Sequence, residues 1–311
     1  MRLFKSTNYD FIGNRKNAFI FSGVLLLITA VSLVYHPLRN SIGPNLSIDF
    51  VGGTVLQLQF ENPISDDLGQ IRSIIDDLGF GMPEVKTIGA REDNELQITT
   101  KRQAEGTMVG DEIKAALNEN YGENPFSLRR EENVGPRIGG ELQQKAFLAI
   151  LLSLIAIVIY IGFRFHLPFG IAAIVALFHD VIITIGVFSV TNAELSLPII
   201  AALLTIVGYS LNDTIVVFDR IRENMATGGR NKKSFEEIVN TSINQCLSRT
   251  IMTSLTTFFV VVTVYGFFFT SGDVLKYFAG ALMAGVLVGT YSSIYVASPF
   301  LVLWNKKWPI K

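Results

Sequence analysis

The sequence predicts a polytopic α-helical membrane protein with six transmembrane helices and an inserted α+β domain of ferredoxin-like order. Two observations carry the prediction. In a chain of 311 residues with mean hydropathy +0.39, six stretches are apolar over about the 20 residues needed to cross a bilayer. Between the first and second of them lies a polar stretch, 37–144, whose periodicity switches repeatedly between strand and helix.

The first apolar run, Ala18 to Tyr35, follows the basic residues Arg15 and Lys16. It occupies the place of a signal peptide, but Tyr35-His36-Pro37 is a poor cleavage site, so the run reads as an uncleaved anchor. The later spans fall near Ala146–Phe163, Phe169–Val190, Ser196–Phe218, Thr250–Phe269 and Val274–Trp304. The organisation expected is thus a cytoplasmic amino terminus and first helix (1–36), an external domain (37–144), helices two to six (145–304) and a short tail (305–311). Basic residues set the orientation. Arg2, Lys5, Arg15, Lys16, Arg164, the stretch Arg220–Arg249 and the tail residues Lys306, Lys307 and Lys311 share one side. The loops Thr191–Leu195 and Thr270–Asp273 carry none, which places both termini in the cytoplasm and 37–144 outside.

Within that domain, Ser47–Phe60 alternates and is rich in Val, Leu and Phe, as a strand would be. Leu68, Ile71, Ile74, Ile75 and Leu78 recur at helical spacing, with Ser65 as the N-cap. Short strands are expected at Glu84–Ile88 and Leu96–Thr99, a helix from Met108 to Leu117, and a strand near Pro125–Arg129. The order β-α-β-β-α-β is the ferredoxin-like arrangement, a scaffold that by itself says little about function.

Composition narrows the function further. A net charge of −1 argues against nucleic acid, whose phosphates demand an excess of Lys and Arg. The single Cys246 cannot form an internal disulfide and reads as an inert thiol. No GxxxxGK[ST] loop is present, and Gly228–Ser234 lacks its spacing, so no ATP site, enzyme activity, metal or cofactor is expected.

Ionisable residues at membrane depth are costly and mark functional positions by default. Asp213 lies in the polar patch Ser210-Leu211-Asn212-Asp213-Thr214 of the fourth span. Asp180 follows His179 in the middle of the third, where a structural hydrogen bond to a neighbouring helix is an equal reading. Arg249 opens the fifth span, where it is either a partner for a carboxylate or a snorkelling anchor. Gly285 and Gly289 in the last span are spaced as GxxxG and suit close helix packing, with a partner helix from this chain or another. Outside the spans, Asp49, Gly52 and Gly53 read as a strand with a glycine bulge, while Gly135 and Pro136 suit a hinge or a tight turn.

The segments Ile48–Thr54, Val134–Pro136, Ala176–Asp180, Val207–Asn224 (VGYSLNDTIVVFDRIREN) and Leu247–Thr250 together resemble the SecF-type members of the SecD/SecF family. The resemblance runs in order over nearly the whole chain. It implies half of a resistance-nodulation-division-type transporter, working in the Sec protein-export machinery at the plasma (inner) membrane. It also implies a SecD-like subunit and the SecYEG channel as partners, with YajC a further candidate, and unfolded polypeptides in translocation as cargo. In such proteins the aspartate of the SLND-type motif and the arginine of the LSRT-type motif are tied to ion transport; those roles fall here on Asp213 and Arg249. Asp180 matches the family's His-Asp motif, in an ionic or a structural role, and Asn212, Ser210 and Thr214 are supporting polar groups. The coupling ion implied is H+, with Na+ an alternative. Other classes fit less well. An intramembrane aspartyl protease would need a GxGD-type motif, and Tyr209-Ser210-Leu211-Asn212 stands there instead. A small-molecule or lipid exporter of the same superfamily would need larger insertions, and a passive assembly factor for the channel would not need Asp213.

Overall fold

Hydrogen bonding inside a bilayer must be satisfied within each spanning segment, so the apolar runs fold as helices. The structure, a computed structural model, describes residues 7–35, 42–64, 67–80, 83–101, 108–228, 233–270 and 274–310. The expected cap Ser65, the basic residues Arg2, Lys5 and Lys311, and loop residues 229–232 and 271–273 lie outside these ranges.

Among the described residues six helices are long and apolar enough to span: α1 (Arg15–Val34), α5 (Pro136–Arg164), α6 (Leu167–Val190), α7 (Leu197–Gly228), α8 (Phe235–Phe267) and a last span. Three of these run well past the apolar stretches that announce them. α5 begins at Pro136, and the polar approaches to Arg220–Gly228 and Phe235–Arg249 are helical too. The last span is composite: α9 (Val274–Ser292), one π turn (Ser293–Ala297) and α10 (Ser298–Lys307). Pro299, in the first turn of α10, has no N–H to give to the preceding turn, which accounts for the wider turn before it.

α6 and the last span form the buried centre, while α1, α5 and α8 leave broad apolar faces exposed. Lipid offers no hydrophobic drive for helices to associate, so small residues and hydroxyls do the packing. Ser32 on α1 lies 2.9 Å from Ser189 on α6. The partner of the GxxxG pair belongs to this chain: a Cβ on Gly285 would meet Ile206 at 2.3 Å, and one on Gly289 would meet the Ser210 Cβ at 2.9 Å, both on α7.

The inserted domain has α2 (Ile48–Val51), β1 (Gly53–Phe60), α3 (Leu68–Asp76), β2 (Glu84–Ile88), β3 (Glu95–Lys101), α4 (Val109–Asn120) and β4 (Phe126–Val134). The sheet order β2-β3-β1-β4, with every neighbouring pair antiparallel, is the ferredoxin-like topology. Leu56, Leu58, Leu96 and Ile98 from the sheet close on Ile71 and Ile75 of α3 and Ile113 and Leu117 of α4.

One expected element differs. The alternating run from Ser47 does not enter the sheet at once: Ile48–Val51 make a single helical turn capped by the Ser47 side chain. Gly52 (φ 77°) and Gly53 (φ 149°) then turn the chain into β1, so these glycines end a helix and do not make a bulge. A Cβ at Gly53 would stand 2.1 Å from the Thr100 carbonyl oxygen. Gly53→Ala should therefore destabilise the protein by about 3 kcal/mol, combining backbone strain with overpacking. Gly69→Ala, at an open helical position of α3, should be neutral or slightly stabilising. Melting of the purified protein checks the contrast, and equal midpoints for the two variants would refute it.

Both described chain ends lie at one end of the bundle, where Arg15 (3.5 Å) and Lys306 (2.8 Å) share Glu236. Residues 7–12 are strapped along α8 by Asn240 and Asn244, one turn apart: Asn240 accepts Phe11 N–H (2.8 Å) and Asn244 accepts Tyr9 N–H (2.9 Å). The inserted domain docks at the opposite end, through Leu46 on Leu195 and Gly89 on Thr270.

Candidate functional site

A carboxylate inside the bundle must either find donors or take up a proton, because desolvating the ion is costly. Asp180 and Asp213 resolve this differently. Asp180, on α6, is 0% exposed and has three side-chain hydrogen-bond partners. Ser210 of α7 (2.5 Å) and Ser292 of α9 (2.7 Å) both donate to Oδ2, and His179 Nδ1 sits 2.9 Å from Oδ1. The far side of the imidazole continues the chain: Nε2 is 3.1 Å from Ser22 Oγ on α1, and Ser22 is 3.0 Å from the Tyr291 hydroxyl. Tyr291 in turn donates to the Ala18 carbonyl at 2.8 Å. Asp180 is thus the knot of a network that ties α1, α6, α7 and α9 together.

Asp213 lies on α7, one turn past Ser210, and is 3% exposed. Among the described residues it has one hydrogen bond, from Ser254 of α8 at 3.2 Å, and Thr290 of α9 lies 2.7 Å behind Ser254. No cationic side chain among the described residues is within ion-pair distance. Arg249, placed by the sequence at the start of a span, lies midway along α8 with its side chain exposed. Two further hydroxyls on the same two helices, Tyr209 and Thr250, are buried without a partner.

The supporting polar residues separate. Ser210 serves Asp180, Thr214 turns back on the Ser210 carbonyl (3.1 Å), and Asn212 is exposed on the outer face of α7. Ser22, Ser254, Thr290, Tyr291 and Ser292 were not legible as site residues. Hydroxyls are ordinary in spanning helices, and only the meeting of five helices, α1, α6, α7, α8 and α9, selects these five residues. Of the motif residues outside the spans, Asp49 meets the start of α7, Gly135 caps α5 and Pro136 is its first residue. The thiol of Cys246 is buried and directed at the Val216 carbonyl, 3.7 Å away.

Six spans around a buried polar knot, with a soluble domain docked on one end, define a multi-pass membrane transport protein. Residues 113–307 match the family "Protein export membrane protein SecD/SecF, C-terminal", and residues 41–64 match the "SecD/SecF GG Motif". The protein translocase subunit SecF of Calditerrivibrio nitroreducens is 45% identical over 297 residues, covering 96% of this chain and 94% of the relative. The corresponding subunit of Thermodesulfovibrio yellowstonii is 39% identical over 311 residues, covering 100% and 99%. Crystalline SecDF from Thermus thermophilus, a translocon-associated membrane protein, superposes with a TM-score of 0.82 at 37% identity over 98% of this chain. A SecDF structure in super-membrane-facing form gives 0.66 at 35% identity over 99%. This chain spans 40% of the length of each of those SecDF chains. The chain belongs to the SecD/SecF family of protein export membrane proteins. It is a component of protein transport.

Proposed function

We propose that this chain works with a SecD-type partner to drive late steps of polypeptide translocation at an ion gradient's expense, with Asp213 as the ion-carrying group. The observation that carries this reading is the contrast between the two carboxylates. Asp180 is saturated with donors, whereas Asp213, almost as deeply buried, has a single neutral hydroxyl to hold it. A sparsely held carboxylate at membrane depth is the group for which gaining or losing a proton changes most. The unpartnered hydroxyls of Tyr209 and Thr250 supply polar surface for its approach. When Asp213 is charged, Arg249 attracts it and draws α7 toward α8; when it is neutral, that attraction is lost and the packing of α7 relaxes.

The exposed face with Asn212 on α7 and Arg249 on α8 suits a second six-helix half, with the ion path between the halves. The whole would sit in the plasma (inner) membrane with both termini cytoplasmic, beside the SecYEG channel and in some settings YajC. The cargo is an unfolded exported chain. H+ is the ion favoured, since a buried carboxylate held by one neutral hydroxyl is the group that gains most from taking up a proton.

The test is export of a precursor into vesicles holding this chain, its SecD-type partner and the channel, after ATP is removed. Completion of export should follow an imposed proton gradient and stop with a protonophore. Export that follows only a sodium gradient would reassign the ion, and export indifferent to both would sink the reading in favour of a passive assembly role.

A further inference from the structure

We propose that Asp49 is the joint coupling the inserted domain to the helix that bears Asp213, an inference resting on the ion-coupled reading above. Asp49 sits on the one-turn helix α2, and its Oδ2 accepts the backbone N–H of Leu197, the first residue of α7, at 3.0 Å. That N–H has no carbonyl partner within its own helix, and a carboxylate there also meets the positive end of the helix dipole. α7 runs unbroken from Leu197 to Gly228. The domain therefore grips one end of the rod that carries Asp213 about 24 Å further along, at 1.5 Å per residue.

The surrounding contacts turn this bond into a clamp on the turn before α7. Ser47 N–H donates to the Leu195 carbonyl (2.9 Å), and Leu195 N–H donates to the Asn45 carbonyl (2.6 Å). Lys101, at the end of β3, pairs with Glu194 at 2.7 Å and donates to Asn45 Oδ1 (3.0 Å) and the Leu46 carbonyl (2.9 Å). Behind the clamp α2 has no room to recoil. A Cβ on Gly52 would stand 2.8 Å from Pro136 Cα, and one on Gly139 of α5 would stand 3.0 Å from Gly52 N. Gly52 and Gly139 are thus points of close backbone crossing between α2 and α5. An axial shift of α7 is transmitted to the sheet because Asp49 holds the two together.

The experiment uses the full chain with its SecD-type partner in vesicles, reading proton uptake and gradient-dependent export separately. Spin labels at the exposed positions Glu119 of α4 and Ala201 of α7 report whether domain and helix stay in register. In the otherwise native chain this distance should keep one value as pH is stepped; in Asp49→Ala it should spread. Asp49→Ala should keep proton uptake and lose export by about tenfold, within the usual range of a coupling free energy. Asp49→Asn, which still offers an oxygen to Leu197 N–H, should recover at least half of the loss. Leu197→Pro deletes the same bond from its other end, at a helix-start position that tolerates proline, and should reproduce the split between uptake and export. Uptake and export lost together in assembled Asp49→Ala and Leu197→Pro, or export undiminished in either, overturns the proposal. If Asp213→Asn changes neither uptake nor export, the ion-coupled reading has failed on its own, and the label distances still decide whether Asp49 holds the domain to α7.

Discussion

Asp213→Asn is expected to leave the chain folded and bound to its partner while removing the gradient-dependent part of export. The substitution is nearly isosteric, and an amide oxygen still accepts the Ser254 hydroxyl that now sits 3.2 Å from the carboxylate. No ion pair is broken, because Asp213 has none among the described residues, so little stability is lost. What disappears is the change of charge. One charge moved across the membrane is worth about 2.3 kcal/mol per 100 mV, roughly a 50-fold bias on the step it drives. Export in vesicles with and without a proton gradient should differ by up to that factor for the native chain and not at all for the variant. Copurification with the partner establishes assembly in the same samples. Undiminished stimulation in an assembled variant would make Asp213 structural and leave this chain a scaffold.

Asp180 should behave in the opposite way. Asp180→Ala strips the acceptor from Ser210, Ser292 and His179 at once, in a place that water does not reach. Each buried donor left without a partner costs about 1–3 kcal/mol, so the variant should lose on the order of 3–5 kcal/mol and accumulate poorly in the membrane. Asp180→Asn retains one oxygen for the two serines and should recover much of the yield and the melting temperature. Its gradient-dependent export should persist at the level of assembled protein. An Asp180→Asn chain that is well folded and assembled but as inactive as Asp213→Asn would place Asp180 on the ion path itself. The two variants thus separate a carboxylate that holds helices from one that carries charge.

The fold was legible where its cause is local. Hydropathy is a sum over neighbours in the chain, so the six spans could be read directly, and the switch between periods of 3.6 and 2 exposed β-α-β-β-α-β. The misreadings have equally definite causes. Ile48–Val51 has the alternation of a strand, but the Ser47 cap and the positive φ of Gly52 make one helical turn worth more there. The extensions of α7 and α8 beyond their apolar stretches are polar, and apolar length alone could not count them. The π turn before Pro299 depends on backbone bonding that no hydropathy window samples.

The candidate site divides along the same line. Composition alone marked Asp180, Asp213 and Arg249, because a charge in an apolar run is conspicuous without any knowledge of the fold, while Asp49 stood out only through the motif around it. Their partners were out of reach. Ser210 is three residues from Asp213 and serves Asp180; Ser254, far along the chain, serves Asp213. Arg249 proved to be midway along an exposed helix face, and Asp49 to be bonded to a helix start 148 positions away. Which residues are costly is a property of each side chain against its surrounding medium, and that the sequence by itself determines. Which donor meets that cost depends on how helices distant in the chain cross, since a hydrogen bond is sensitive to tenths of an ångström that residue order does not contain.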